Sequence, residues 1–178
     1  TIKLEELMSK QFVVAANANG SVAKGYALGD VSVTSPTVLK VSGPETIVKR
    51  IDSVVASIDV SGMTMSMTDN AVPKLYDEDG NEIATTRLTL SADSVTVSAE
   101  VLGTKDVSIN FSTTGSPQGN NSVMGVSGTP SHILVKGSAN VLNQLTSIDV
   151  EPINVNGATA DITTSIDITE FLPEGVSL

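Results

Sequence analysis

The sequence predicts a mainly β chain built as two tandem repeats, each a small antiparallel or mixed β-domain with one short α-helix. Three observations predict it. Aromatic residues make up only 3% of the chain and Trp is absent, so a core must be filled by Val, Ile, Leu, Met and Ala, a set rich in strand-favouring side chains. Apolar residues alternate with Ser, Thr and Asp over long stretches, the period of a strand with one buried and one solvated face. And one stretch occurs twice: SPTVLKVSGPETIVKRIDSV at 35–54 is answered by TPSHILVKGSANVLNQLTSI at 129–148.

The duplication keeps its register. Pro36 pairs with Pro130, Gly43 with Gly137, Val48 with Leu142 and Ile51 with Leu145, each 94 positions apart. IDVSG at 58–62 matches INVNG at 153–157 one residue later in register. Upstream, Phe12 and Val14 align with Val107 and Ile109, and Gly20 with Gly115. A unit this long is a domain-sized repeat rather than a short solenoid period.

Each repeat reads in the same order. An opening strand is expected at 11–15 and 106–111, then a loop rich in Gly, Ser and Asn, then an apolar strand at 38–41 and 133–135. A helix of two or three turns follows. Gly43-Pro44 places Pro at its first position in repeat one, where no amide donor is missed; Ser138 is the expected N-cap in repeat two. Ile47, Val48 and Ile51 share one face, as do Val141, Leu142 and Leu145, and a helix so short must dock that face on a sheet. Period-two patterns then predict strands through Ile58 and Val60, through Met63, Met65 and Met67 (Ala158, Ala160 and Ile162 in repeat two), and at 86–90, 95–101 and 166–168.

Composition excludes several classes. Twenty acidic and ten basic residues give a formal charge of −10, which repels phosphate backbones and makes nucleic acid an unexpected partner. Without cysteine there are no disulfides, thiolate metal sites or thiol nucleophiles. No apolar run is long enough to span a bilayer, so no membrane insertion is expected within these residues.

These residues resemble the YbbR-like domain family. The carriers are P-x-x-x-x-V-x-G-P-x-x-x-V-x-x-I at 36–51 followed by I-D-V-S-G at 58–62. Repeat two departs where Ser138 replaces Pro and where Asn154 and Asn156 replace Asp59 and Ser61. The resemblance implies tandem repeats joined by strands. Residues 1–9 are then expected to be the closing strand of an absent upstream repeat, 10–101 repeat one, and 102–178 repeat two, cut before its last strand. That division predicts an open sheet edge, strand exchange or a homodimer. The resemblance also implies an extracytoplasmic, cell-surface protein of a Gram-positive bacterium, anchored by an N-terminal transmembrane segment outside this sequence. Its implied role is non-catalytic: binding and regulating a protein partner, a membrane diadenylate cyclase that makes cyclic di-AMP. A passive cell-surface spacer is the alternative, and a carbohydrate-binding or hydrolase domain a more distant one.

Candidate sites each have a plain structural reading. His132, the one histidine, aligns with Val38 at the start of an ordinary strand. Asp77-Glu78-Asp79-Gly80-Asn81-Glu82 resembles a calcium loop, but Leu88 stands where a closing Glu is needed, and a tight turn on Gly80, matched by Gly175, is the expectation. The methionine stripe is expected to fill core. No enzyme motif of the nucleophile-elbow, phosphate-loop or zinc-protease kind occurs. No catalytic, cofactor or metal residue is therefore assigned.

Overall fold

The computed structural model describes residues 4–178. The chain divides into two compact units, the first running to Lys24 and resuming over Leu28–Val101, the second comprising Gly25–Ala27 and Leu102–Leu178. It is mainly β in mixed sheets, with two short α-helices.

The first stretch of chain gives β1 (Leu7–Asn19), β2 (Tyr26–Ser35), β3 (Val38–Pro44), α1 (Glu45–Val48), β4 (Ser53–Asp59), β5 (Met67–Ala71), β6 (Lys74–Tyr76), β7 (Glu82–Ile83), β8 (Thr89–Leu90) and β9 (Val95–Asn110). In unit 1, β1 is the centre. Its first half pairs antiparallel with β3, Phe12 opposite Leu39, and its second half pairs parallel with β4, Val14 opposite Val54. Strand order is β7-β6-β4-β1-β3-β8. The alternation works as read: Phe12 and Val14 are buried, and Val13 between them is 76% exposed. The start of β9 closes the core. It pairs with β2 and runs antiparallel to β5, with Val95, Val97 and Ala99 opposite Ala71, Asp69 and Met67. All three are buried.

Unit 2 repeats this plan with the rest of β9 and with β10 (Thr113–Thr114), β11 (His132–Gly137), α2 (Ala139–Gln144), β12 (Ser147–Asp149), β13 (Ile153–Asn154) and β14 (Val176–Ser177). Val107 lies opposite Ile133 antiparallel and Ile109 opposite Ile148 parallel, the counterparts of Phe12–Leu39 and Val14–Val54. The one-residue slip in the repeat has a physical place. Where β4 is unbroken, unit 2 carries Glu151-Pro152 between β12 and β13. A proline has no N–H for the ladder, and an extra residue cannot keep register, so the strand splits there.

Several expectations are corrected. The α1 helix is a single turn with Pro44 at the N-cap rather than inside, and Ile51 lies beyond its end, although Val48 and Ile51 are buried. Ser138 does occupy the N-cap of α2, but its side chain makes no capping bond; Leu142 and Leu145 are buried there. Residues 63–66 are irregular, strand beginning only at Met67; Met63 and Met67 pack on the core while Met65 is 72% exposed. Residues 85–87 form a 3-10 turn before β8, and 166–168 form no strand, leading instead into a 3-10 turn at Ile168–Phe171. Gly175 does take the expected tight turn, with φ 81° and Val176 N donating to Pro173 O at 3.1 Å, but that turn leads into β14 and not across a hairpin tip. Ser177 lies opposite Lys136 as Thr89 lies opposite Ser42, so Gly175 enters the closing strand where Arg87 does in unit 1. Of residues 1–9, Thr1, Ile2 and Lys3 lie outside the described residues, and Leu7 and Met8 open β1, opposite Pro44 and Gly43.

Candidate functional site

The signature I-D-V-S-G forms a turn. Asp59 Oδ1 accepts from the Ser61 hydroxyl at 2.6 Å and from its amide at 2.9 Å, and these bonds hold the carboxyl below its ordinary value. Asn154 Oδ1 accepts from Asn156 N at 2.9 Å in the same way, so the substitution loses the charge and keeps the turn. The turn is clamped to the end of β1 by Val60 N to Asn19 O and Gly62 N to Ser21 O, both 2.9 Å. In unit 2 the same clamp is Val155 N to Thr114 O at 2.8 Å and Gly157 N to Ser116 O at 2.9 Å. Gly20 and Gly115 have φ of 85° and 89° beside it, and a Cβ at Gly115 would lie 2.9 Å from Asn156 N. Asp59 is thus a structural residue.

The acidic run is also a turn. Asp77 Oδ1 accepts from Asn81 N at 2.8 Å and Asp79 N at 3.2 Å, and Oδ2 accepts from Arg50 Nη2 at 3.2 Å. The amide bond from Asn81 and the bonds from Arg50 and Asp79 lower the Asp77 carboxyl. Oδ1 thus faces the β6–β7 hairpin tip, where Gly80 has φ 78°. Among the described residues no three His, Asp or Glu side chains gather as a metal set. His132 is exposed at the start of β11, its Nδ1 3.1 Å from Ser131 Oγ.

One lysine pair diverges between units, and nothing in the pattern marked it. The Lys10 ammonium sits 4.9 Å from the centre of the Phe12 ring. With Val107 in place of the ring, its counterpart Lys105 instead donates to Leu142 O at 2.8 Å and Leu145 O at 2.7 Å, satisfying the last carbonyls of α2.

An open groove of about 570 Å³ lies in unit 2. Residues 121–127 form one wall and 158–163 the other, with Ile153 and Val155 on its floor. Its apolar side chains stand open: Met124 is 96% exposed, Ile162 47% and Val123 44%. Asp161 is its one carboxylate, so the paired acids of a hydrolytic site are not assembled there. The walls correspond to β2 and to the stretch entering β5, since Gln118 N bonds Ala158 O at 3.0 Å as Ala23 N bonds Met63 O at 3.0 Å. In unit 1 that space holds the start of β9.

The YbbR-like protein family matches residues 13–99 and 107–178, one segment on each unit. The chain belongs to that family. YbbR-like membership accounts for the two corresponding turns and for the twice-used sheet plan. The CdaA regulatory protein CdaR of Bacillus subtilis (strain 168) is 25% identical over 179 residues, covering 99% of this chain and 36% of CdaR. Two solved structures are similar over about half of the chain. A YbbR-like protein from Streptococcus pneumoniae TIGR4 gives a TM-score of 0.47 at 12% identity, covering 55% of this chain and 48% of that one. SuR18C from Streptococcus thermophilus gives 0.38 at 20% identity, covering 57% and 89%. This chain therefore spans about a third of the length of CdaR.

Proposed function

We propose that this chain is a non-catalytic regulatory module that works outside the cytoplasm by protein–protein contact. It belongs to a protein anchored by a transmembrane segment outside this sequence, and its partner is a membrane diadenylate cyclase. The observation that carries the reading is the family match on both units, together with a relative that is named as a regulatory protein and aligns along nearly the whole chain. The geometry supports it. The conspicuous residues, Asp59 and Asp77, are engaged in turns, and what the chain offers to a partner is strand edge and apolar surface. No described helix is long and apolar enough to cross a membrane.

The test is reconstitution. The anchored protein with and without these two repeats is placed in vesicles with the cyclase, and cyclic di-AMP output is measured. Deletion is expected to change output and to abolish co-purification. Unchanged output with binding lost marks the repeats as a passive spacer and overturns the regulatory reading.

A further inference from the structure

We propose that Asn19-Gly20 is a self-modification site, where the chain converts its own asparagine to aspartate and isoaspartate and so alters the signature turn of unit 1. The chemistry needs a side-chain amide followed by a residue without a side chain to hinder ring closure. The Gly20 nitrogen, on losing its proton, attacks Asn19 Cγ. The new N–Cγ bond closes a succinimide ring as the bond from Cγ to the amide nitrogen breaks, and that nitrogen takes up a proton and leaves as ammonia. Water then adds to either ring carbonyl. Opening on one side restores the main chain with aspartate; opening on the other leaves isoaspartate, whose main chain runs through the side-chain methylene. Water is the only co-reactant.

The sequence offers three steps of this kind, Asn19-Gly20, Asp79-Gly80 and Asn156-Gly157. What separates them is the attacking nitrogen. Gly80 N donates to Asp77 O and Gly157 N to Ser116 O, both at 2.9 Å. A nitrogen so engaged keeps its proton and its direction until that bond breaks. Gly20 N donates no hydrogen bond among the described residues. Asn19 and Gly20 are both exposed, so water reaches the ring. Asn17 Nδ2 donates to Asn19 Oδ1 at 3.3 Å, the oxygen on which negative charge develops during attack, and the bond stabilises that charge. The product falls on a structural joint. Asn19 lies opposite Asp59, and Asn19 O accepts from Val60 N at 2.9 Å. Aspartate at this position sets a second carboxylate opposite Asp59, and the added methylene of isoaspartate moves the carbonyl away from Val60 N. Unit 2 has Thr114 before Gly115, so its turn has no amide to lose there. The modification acts on one repeat alone and in one direction.

Peptide mapping by mass spectrometry tests this on the intact folded chain, sampled over weeks in mildly alkaline buffer beside a set held in urea. In the fold, Asn19 is expected to convert about fivefold or more faster than Asn156, the factor that one net hydrogen bond supplies. The rate rises with pH, because the free nitrogen must lose its proton. In urea Gly157 N is released and the two rates are expected to converge. Asn19→Gln sets the amide one methylene too far for the ring; it is expected to abolish conversion at that position and to leave Asn156 unchanged. A chain aged to full conversion is expected to melt below the fresh chain, and by more than Asn19→Asp does, since that variant has the charge without the lengthened main chain. Equal conversion of Asn19 and Asn156 in the fold, conversion of Asn19 in urea only, or a preference for Asn19 that persists unchanged in urea overturns the proposal. So does an aged chain that melts with N19Q aged alongside it.

Discussion

Unit 1 gathers fifteen buried apolar residues into one cluster and unit 2 gathers seven, although the two are read from nearly the same pattern. Two of the fifteen, Leu75 and Ile83, come from the β6–β7 hairpin, and three, Val95, Val97 and Ala99, from the layer that β9 lays between β2 and β5. Where that layer is present, both flanking segments are strands. Where it is not, the equivalent segments are irregular and their Val, Met and Ile side chains face outward. Burial, more than the local sequence, decides whether an alternating segment becomes a strand. Each apolar side chain moved from water to core is worth roughly 1.5–3 kcal/mol, so within these residues unit 1 holds the larger share of the core's stabilisation.

The comparison can be broken most directly in the core. Leu39 is fully buried and its counterpart Ile133 only partly. Leu39→Ala is expected to cost about 3 kcal/mol and Ile133→Ala about half that, read from chemical denaturation. Equal costs would mean that unit 2 is as tightly packed as unit 1. The paired turn glycines come next. Gly115→Ala drives a Cβ against the backbone of Asn156, whereas at Gly20 the nearest atom is the rotatable Ser61 hydroxyl. Both pay for positive φ, and Gly115→Ala is expected to lose about 2 kcal/mol against about 1 kcal/mol for Gly20→Ala. Lys105→Met, which keeps the stem and removes two bonds to α2 carbonyls, is expected to cost about 1 kcal/mol, and Lys10→Met, which loses only a ring contact, about half as much.

The smallest effect is expected at Asp59→Asn, because Asn154 already performs that turn in unit 2. At neutral pH the variant's melting temperature should match the parent. They should part in acid. The Asp59 carboxyl is lowered in the fold, so its contribution is present above the ordinary aspartate value near 3.9 and is lost as pH falls through the lower folded value. The asparagine variant lacks that component of acid sensitivity, and a pH series of melting curves reads it.

Much of the architecture was legible. The alternation at Phe12 and Val14 and the 94-residue register of Pro36 with Pro130 anticipated where the main strands fall and that both repeats share one plan, and the one-residue slip finds its physical place at Pro152. What escaped was whatever depends on a distant partner. Residues 120–128 have a β2-like place in the repeat, but their ladder partner is a strand far away in sequence, so no window over them could reveal that they stay irregular. Met65 alternates like Met63 and Met67, yet it sits before the strand begins and faces solvent. Lys105 was silent because its role depends on the ring that Val107 does not supply. The groove was visible only as an expected open edge, its walls being identified by the bonds of Ala158 and Met63 rather than by any motif.

The segment Gly25–Ala27 lies early in the chain but belongs to unit 2, where Gly25 O accepts from Thr104 N at 3.1 Å and from the Thr104 hydroxyl at 3.0 Å. It carries Tyr26, while Tyr76 lies in unit 1, and these are the protein's two tyrosines in a chain without tryptophan. Each half therefore has its own near-ultraviolet chromophore. Tyr26→Phe silences one and Tyr76→Phe the other, so the melting of each half can be followed optically without attaching a dye.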